Sequence, residues 1–189
     1  FLRPQNLAKD NTSEWLVWRH ALEKIKKNDG NYPDILIVVP VTSPLRSVGD
    51  LKKCLIEFKK NNADIIITAT ESRRNPYYNM IKINKKGLAS CLIETKKKII
   101  RRQEAPKVYD ITTVAYVTTP KFVLEKKGIF SGKVRFINIP PERALDIDTP
   151  FDFKIADNMY RIENPISFCL NGDTAPNRRF NYRYIWKNN

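Results

Sequence analysis

The sequence ILIVVPVTSPLR occupies residues 35–46 and decides how the surrounding chain is expected to fold. Its first five residues are continuously apolar, which is typical of a central parallel strand buried on both faces. A helix is predicted at 48–61 and a second apolar strand at 63–69, so the order is that of a right-handed βαβ unit. Because ligands bind beyond the carboxyl ends of strands in such open sheets, residues 42–46 lie where a ligand site is expected.

Helix and strand signals continue on both sides of this unit. The other predicted elements are a helix at 12–28, a β-hairpin at 79–83 and 88–93, a strand at 108–118, a helix at 121–127, a strand at 134–139 and a helix at 150–162. Together they predict an α/β fold with three layers, a Rossmann-like, mostly parallel sheet flanked by helices, and a small β-hairpin insertion. We expect one domain over 1–163 and a poorly ordered extension over 164–189.

A second informative stretch is ERALDIDTPFDF at residues 142–153. Asp146 and Asp148 are two residues apart, so an extended backbone would place both carboxylates on one face. Carboxylates with substrate phosphates are the usual ligands of Mg²⁺. On spacing alone the simpler interpretation is that Asp148 belongs to the cap of the next helix, which Thr149 and Pro150 begin, and that Asp146 is a solvated turn residue.

Composition restricts the function less than these stretches do. The 189 residues are 42% hydrophobic and 29% charged, as in an ordinary globular protein, and the longest apolar runs are far too short to span a membrane. The net charge of +14 suits nucleic acid or a small anionic substrate, but the lysines are spread in pairs and triplets with no nucleic-acid-binding motif. Three separated cysteines predict reduced thiols in a cytoplasmic protein.

Four groups of residues occur together in the order and spacing of a known family. They are Arg3-Pro4 with Leu7-Ala8 and Asp10, the TSPLR run at 42–46, Arg102-Gln103 with Pro106 and Tyr109, and the DIDT run at 146–149 with Asp152. Over about residues 2–162 the sequence resembles the acylneuraminate cytidylyltransferases, also called CMP-sialic acid synthetases. The resemblance implies a cytoplasmic, homodimeric nucleotidyltransferase that couples CTP to a nonulosonic, sialic-acid-like sugar and releases pyrophosphate.

The resemblance also implies roles for individual residues. Asp146 and Asp148 match the aspartates that bind catalytic Mg²⁺, and Arg102 and Gln103 match a pair near the sugar and the phosphates. The remaining substrate-binding candidates are Arg3 and Arg46 with Ser43 near the nucleotide, and Tyr116 in the sugar pocket. In the family, the region matching 121–136 helps to form the dimer and lends residues to the partner's site, and Phe130 is the candidate here.

The sequence departs from the family pattern at three places. The family opens with a strand and a glycine- and lysine-containing loop around the triphosphate, and this sequence starts after that segment, so we expect either that it is a fragment of a longer protein or that it is incomplete as a catalyst. A catalytically incomplete, nucleotide-binding remnant of the fold is therefore the alternative function. Pro40-Val41 replaces the usual glutamine and proline, and Asp110 with Thr112-Thr113 replaces the usual arginine and Asn-Gly. An aspartate cannot pair with the sugar carboxylate, so legionaminic, pseudaminic and other nonulosonic acids are all candidate substrates.

Overall fold

The computed structural model describes residues 1–95 and 99–163. The chain divides into two compact units, the first ending at Asp146 and the second beginning at Ile147. Within the described ranges, no helix combines the length and the apolar character needed to cross a membrane. The predicted extension at 164–189 lies outside the described residues.

The first unit follows the predicted order of elements. Its helices are α1 (Glu14–Asp29), α2 (Val48–Lys60) and α3 (Pro120–Glu125). Its strands are β1 (Leu36–Val38), β2 (Ile65–Glu71), β3 (Ile81–Ile83), β4 (Ala89–Cys91), β5 (Tyr109–Thr118) and β6 (Val134–Asn138). The predicted hairpin is confirmed as the β3–β4 pair, in which Gly87 supplies the positive φ of 78° that the turn requires.

The main sheet of the described chain has the strand order β1-β5-β2-β6. Strands β2 and β6 are parallel, while β5 runs antiparallel to both of its neighbours, β1 and β2. The predicted α/β class is confirmed, although the sheet is mixed because β5 separates the two strands of the βαβ unit. The prediction that residues 35–39 form a central, doubly buried strand is wrong in part: β1 pairs only with β5 among the described strands, and Ile37 is 40% exposed.

Helices pack on both faces of this sheet, because successive apolar residues of a strand point in opposite directions. Ile65 and Ile67 of β2 belong to a buried cluster that includes Trp18 of α1 and Phe122 of α3. Ile66, between them in sequence, belongs to a second cluster with Cys54 of α2. The predicted three-layer arrangement of helices around the sheet is therefore present in the first unit.

Hydrogen-bonded caps fix where the helices begin. Ser47 precedes α2 and forms a capping box with Asp50, as its sequence predicts. The second unit contains α4 (Pro150–Glu163), and its first turn carries an equivalent pair. There, Asp152 Oδ2 accepts hydrogen bonds from the Thr149 amide (2.8 Å) and hydroxyl (2.6 Å), and the Asp152 amide donates to Thr149 Oγ1 at 3.3 Å.

Candidate active site

Most of the predicted site residues of the first unit follow or adjoin one edge of the main sheet. The loop with Ser43 and Arg46 comes directly after the carboxyl end of β1, and Asp146 comes after β6. Tyr116 lies on β5 opposite Val38, the last residue of β1. Because β1 and β6 point in the same direction, this arrangement agrees with the expected ligand position beyond the carboxyl ends of the strands.

Arg46, Tyr116 and Asp146 interact electrostatically. Burial lowers the pKa of Arg46 from its ordinary value, and the negative charge of Asp146 opposes that shift. Burial, followed by the charges of Glu14 and Asp146, raises the pKa of Tyr116 to about 12. Tyr116 is 5% exposed and packs against Trp18 with ring centroids 5.2 Å apart. The charge of Asp146 therefore acts both on a half-buried cation and on a buried phenol.

Two polar groups in this cluster have no hydrogen-bond partner among the described residues. They are Asp146 Oδ1 and Arg46 Nε, both of which are buried atoms. The Arg46 guanidinium is anchored through its Nη2, which donates to the carbonyl oxygen of Pro40. Because unpaired buried polar groups are costly, such groups are typical of positions that a ligand or an ion completes.

An irregularity in β5 provides the contact that holds the 42–46 loop. The pairing of β2 with β5 shifts between Ile66 and Thr68, so that extra residues of β5 bulge out of register. Within the bulge, Thr113 Oγ1 lies 2.6 Å from the hydroxyl oxygen of Ser43, which is completely buried. The predicted substrate contact Ser43 is thus a buried side chain that holds the 42–46 loop against β5.

A buried ion pair lies beside this loop. Asp50 is 1% exposed, and its two oxygens accept hydrogen bonds from Arg143 Nε at 2.9 Å and Nη2 at 3.0 Å. Its Oδ2 also accepts from the amide (2.9 Å) and hydroxyl (2.8 Å) of Ser47. Burial alone would raise the pKa of Asp50, but the hydrogen bonds from Arg143 and Ser47 hold it below its ordinary value.

In the second unit, Asp148 precedes α4 and is exposed. Its backbone amide donates to Asp152 Oδ2 at 3.3 Å. The hydrogen bonds from Thr149 contribute most to the lowered pKa of Asp152. The cap of α4 therefore uses the amide of Asp148 and the side chains of Thr149 and Asp152, which leaves the Asp148 carboxylate facing solvent.

The remaining predicted residues are exposed. Arg102 and Gln103 form a short 3-10 turn, and Arg102 Nη2 lies 3.5 Å from the Ser72 carbonyl oxygen, just after the carboxyl end of β2. Arg3 precedes a 3-10 turn at the start of the chain. Phe130, which is 71% exposed, precedes β6 and therefore lies toward the opposite edge of the sheet from Asp146.

The carboxylates of Asp146 and Asp148 are chemically suitable ligands for a divalent metal ion. A buried, unpaired carboxylate oxygen on Asp146 and an exposed carboxylate on Asp148 are hard oxygen donors of the kind that bind Mg²⁺. Across residues 1–95 and 99–163, no group of three or more metal-binding side chains converges. Each carboxylate by itself is a donor of the kind that Mg²⁺ takes when substrate phosphates and water supply the other ligands.

The sequence did not reveal two features of this site. Arg143 is read from the sequence as a residue of the stretch before the aspartates, and nothing in its spacing indicates its long-range partner Asp50. Thr113 is visible only as a departure from the family pattern, because its contact with Ser43 depends on the bulge in β5. The sequence shows Asp50 only as a capping residue, and its burial, which requires a basic partner, is visible only in the structure.

No family model matches the chain. The curated relatives include the post-translational flagellin modification protein B of Campylobacter coli, which is 30% identical over 165 residues, covering 87% of this chain and 68% of the relative. The CMP-N,N'-diacetyllegionaminic acid synthase of Campylobacter jejuni is 32% identical with the same two shares. The pseudaminic acid cytidylyltransferase of Campylobacter jejuni is 27% identical, covering 89% of this chain and 71% of the relative.

Two solved structures share the fold. One is the CMP:2-keto-3-deoxy-manno-octonic acid synthetase complexed with CTP, with a TM-score of 0.52 and 11% identity over 82% of this chain and 70% of that one. The other is the 4-diphosphocytidyl-2C-methyl-D-erythritol synthase of Anaerococcus prevotii, with a TM-score of 0.53 and 14% identity over 80% and 68%. These two structures show the fold, and the sequence relatives show the family. The chain belongs to the CMP-sialic acid synthetase family of nonulosonic acid cytidylyltransferases.

Proposed function

We propose that this protein is a cytidylyltransferase that activates a nonulosonic acid with CTP. The observation that carries the proposal is the field shared by Arg46, Tyr116 and Asp146 beyond the carboxyl end of β1, in a chain of this family. In the reaction, the anomeric oxygen of the sugar forms a bond to the α-phosphorus of CTP. The bond from that phosphorus to the pyrophosphate oxygen breaks, and the sugar hydroxyl loses its proton.

Positioning and charge complementarity are the main contributions that a protein makes to such a transfer. Arg46 is a half-buried cation anchored to the Pro40 carbonyl oxygen, so it is suited to the negative charge of the nucleotide phosphates. Ser43 fixes the loop through Thr113. Arg102 lies after the carboxyl end of β2, where an exposed guanidinium can reach the sugar carboxylate or a phosphate.

Tyr116 and Gln103 suit neutral parts of the substrates. With its pKa raised to about 12, the Tyr116 phenol stays protonated at neutral pH and can donate a hydrogen bond to a sugar oxygen. Gln103 offers an amide beside Arg102. Arg3 is a further candidate for substrate binding, and its expected position is near the nucleotide. We assign no residue as general base.

We further propose that Asp146 and Asp148 hold Mg²⁺ together with the substrate phosphates. The support is the buried, unpaired Oδ1 of Asp146 and the solvent-facing carboxylate of Asp148. When bound, Mg²⁺ neutralises phosphate charge and lowers the pKa of a coordinated hydroxyl.

Two features of the chain support a homodimer. The β3–β4 hairpin exposes Ile81 (64%) and Ile83 (68%), and a two-stranded hairpin is only marginally stable alone, so a partner that covers it is favoured. Phe130 is the exposed aromatic residue that would reach the partner's site. We expect sedimentation to give a dimer for the wild type and a shift toward monomer for Ile81→Lys with Ile83→Lys, while Lys82→Glu on the other face of the same strand leaves the dimer intact. A monomeric wild type would contradict the dimer.

The experiment that tests the function is a pyrophosphate-release assay on the full-length protein. CTP and Mg²⁺ are combined with N,N'-diacetyllegionaminic acid, pseudaminic acid or N-acetylneuraminic acid. We expect turnover with CTP and at least one of these sugars, and none with ATP in place of CTP. No turnover with any nonulosonic acid would contradict the proposal and favour a non-catalytic remnant. Because CTP is an intracellular nucleotide, we place the reaction in the cytoplasm.

A further inference from the structure

We infer that Arg143 and Asp50 are a positioning pair: their ion pair holds the segment that carries Asp146 against the loop that carries Arg46, and thereby sets the metal affinity of the site. The inference rests on the proposed function and extends it to two residues to which the resemblance gives no role. Arg143 lies three residues before Asp146, and Asp50 lies in the first turn of α2, just after the loop.

The first support is the burial of Asp50. A fully buried carboxylate is strongly unfavourable unless it is paired and hydrogen-bonded. Asp50 accepts four hydrogen bonds, two from Arg143 and two from Ser47, at 2.8–3.0 Å. Both of its oxygens are therefore occupied, and the bidentate guanidinium fixes the orientation of the two segments relative to each other.

The second support is a comparison with the other capping box of the chain. Asp152 caps α4 through the same set of contacts with Thr149 while it remains accessible to solvent. Capping a helix therefore does not require the burial or the arginine that Asp50 has. The pairing of Asp50 with Arg143 adds something beyond the helix start, and that addition is a link between two distant parts of the chain.

The third support is that one carboxylate, that of Asp50, binds a residue next to Arg46 and a residue of the segment that leads to Asp146. Asp50 binds Ser47, the residue after Arg46, and it also binds Arg143, which precedes Asp146. The two segments are also linked directly, because the charge of Asp146 acts on Arg46. Ile139 anchors the start of the returning segment, since it is completely buried and its amide donates to the Ala69 carbonyl at 2.7 Å.

A lysine at position 143 would keep the positive charge but could not make two parallel hydrogen bonds to Asp50. Asp146 would then be less well oriented, and changes to the residues that orient metal ligands typically reduce metal affinity or activity about 10- to 100-fold. We therefore expect Arg143→Lys to raise the half-saturating Mg²⁺ concentration by about 10-fold or more. Its KM for the sugar should change much less.

The matched control is Arg135→Lys. Arg135 Nε also donates to a carboxylate of α2, that of Glu57, at 2.9 Å, but this pair joins the other end of the helix to β6. Thermal unfolding of both variants compares their effects on stability. Binding of Mn²⁺ in the presence of CTP and without sugar, followed by electron paramagnetic resonance, gives a readout that does not depend on turnover. Asp50→Asn provides a second variant on the other side of the pair.

The expected result is weaker Mn²⁺ binding in Arg143→Lys and in Asp50→Asn and unchanged binding in Arg135→Lys. The double variant of Arg143→Lys and Asp50→Asn should bind Mn²⁺ no more weakly than the weaker-binding of the two single variants. Unchanged Mn²⁺ binding and an unchanged Mg²⁺ requirement in folded Arg143→Lys and Asp50→Asn, with an active wild type, would overturn the positioning role alone. A wild type that neither turns over any nonulosonic acid nor binds Mn²⁺ with CTP would overturn the proposed function as well.

Discussion

The carboxylate of Asp146 acts on the phenol of Tyr116, although the two residues belong to different segments of the chain. Tyr116 is anchored on β5 by its pairing with Val38, and Asp146 ends the segment that follows β6. The interaction links the proposed metal ligand to the residue proposed for the sugar pocket.

The raised pKa of Tyr116 predicts a specific alkaline loss of stability. A group whose pKa is higher in the folded state stabilises the fold fully below its unfolded pKa, near 10 for tyrosine, and loses that contribution as the pH rises toward about 12. Relative to Tyr116→Phe, the wild type should lose about 1.4 kcal/mol of unfolding free energy per pH unit in this window. Urea unfolding at pH 9, 10 and 11 measures the difference. A constant difference across the three pH values would contradict the shift.

The hydroxyl of Thr68 should contribute more to the free energy of unfolding than the hydroxyl of Thr70, which lies two residues further along β2. Thr68 Oγ1 lies 3.1 Å from the Thr112 carbonyl oxygen and 3.2 Å from that of Ala115, shares its one proton between them, and accepts from the Ala115 amide, so it satisfies the backbone of the bulge. Thr68→Val should therefore destabilise the protein by about 1–3 kcal/mol.

Thr70→Val is the control for this substitution. Thr70 Oγ1 is buried and has no hydrogen-bond partner in the described part of the chain, so its removal should be neutral or stabilising. Chemical denaturation of both variants decides the matter. Equal losses in the two variants would show that the bulge does not depend on Thr68.

Gly132 is required for steric reasons and not for its backbone conformation, which is extended. A Cβ at this position would lie 2.5 Å from Phe122 Cε2 and 2.6 Å from Asp64 Oδ2. Asp64 Oδ2 also accepts the Lys133 amide at 2.7 Å, so it cannot move without losing that bond. Gly132→Ala should cost about 1–3 kcal/mol of unfolding free energy.

Gly128 offers the matched control for this crowding. A Cβ there would meet no atom within 4 Å, and its φ of 172° is extended backbone that any residue adopts. Gly128→Ala should leave the melting temperature nearly unchanged, while Gly132→Ala lowers it by several degrees. A melting temperature for Gly132→Ala equal to that of Gly128→Ala would show that the Phe122 ring yields freely.

Local signals predicted much of the fold. The cap at Ser47, the hairpin turn at Gly87 and the apolar strand containing Ile65 each depend on neighbouring residues, and each is confirmed. The position of β1 in the sheet was wrong because an apolar run does not say which strands lie beside it. That information belongs to long-range pairing, here to the insertion of β5 between β1 and β2.

The site was predicted less completely, for a related physical reason. The resemblance to the family identified Arg46, Tyr116 and Asp146, and in the structure the charge of Asp146 acts on both Arg46 and Tyr116. The partners that hold them in place, such as Arg143, come from distant segments and have no motif of their own. The pairing of Asp146 with Asp148 on one metal stays a prediction.

The proposed function requires the carboxylate of Asp146 for metal-dependent cytidylyl transfer. It is tested most directly by Asp146→Asn, which keeps the side-chain size and removes the charge, with Asp34→Asn as an exposed control before β1. The measurement is kcat for pyrophosphate release from CTP and the preferred nonulosonic acid at saturating Mg²⁺. We predict a loss of about 100-fold or more in Asp146→Asn and none in Asp34→Asn. A folded Asp146→Asn variant that keeps the wild-type kcat would show that the Asp146 carboxylate has no part in the transfer.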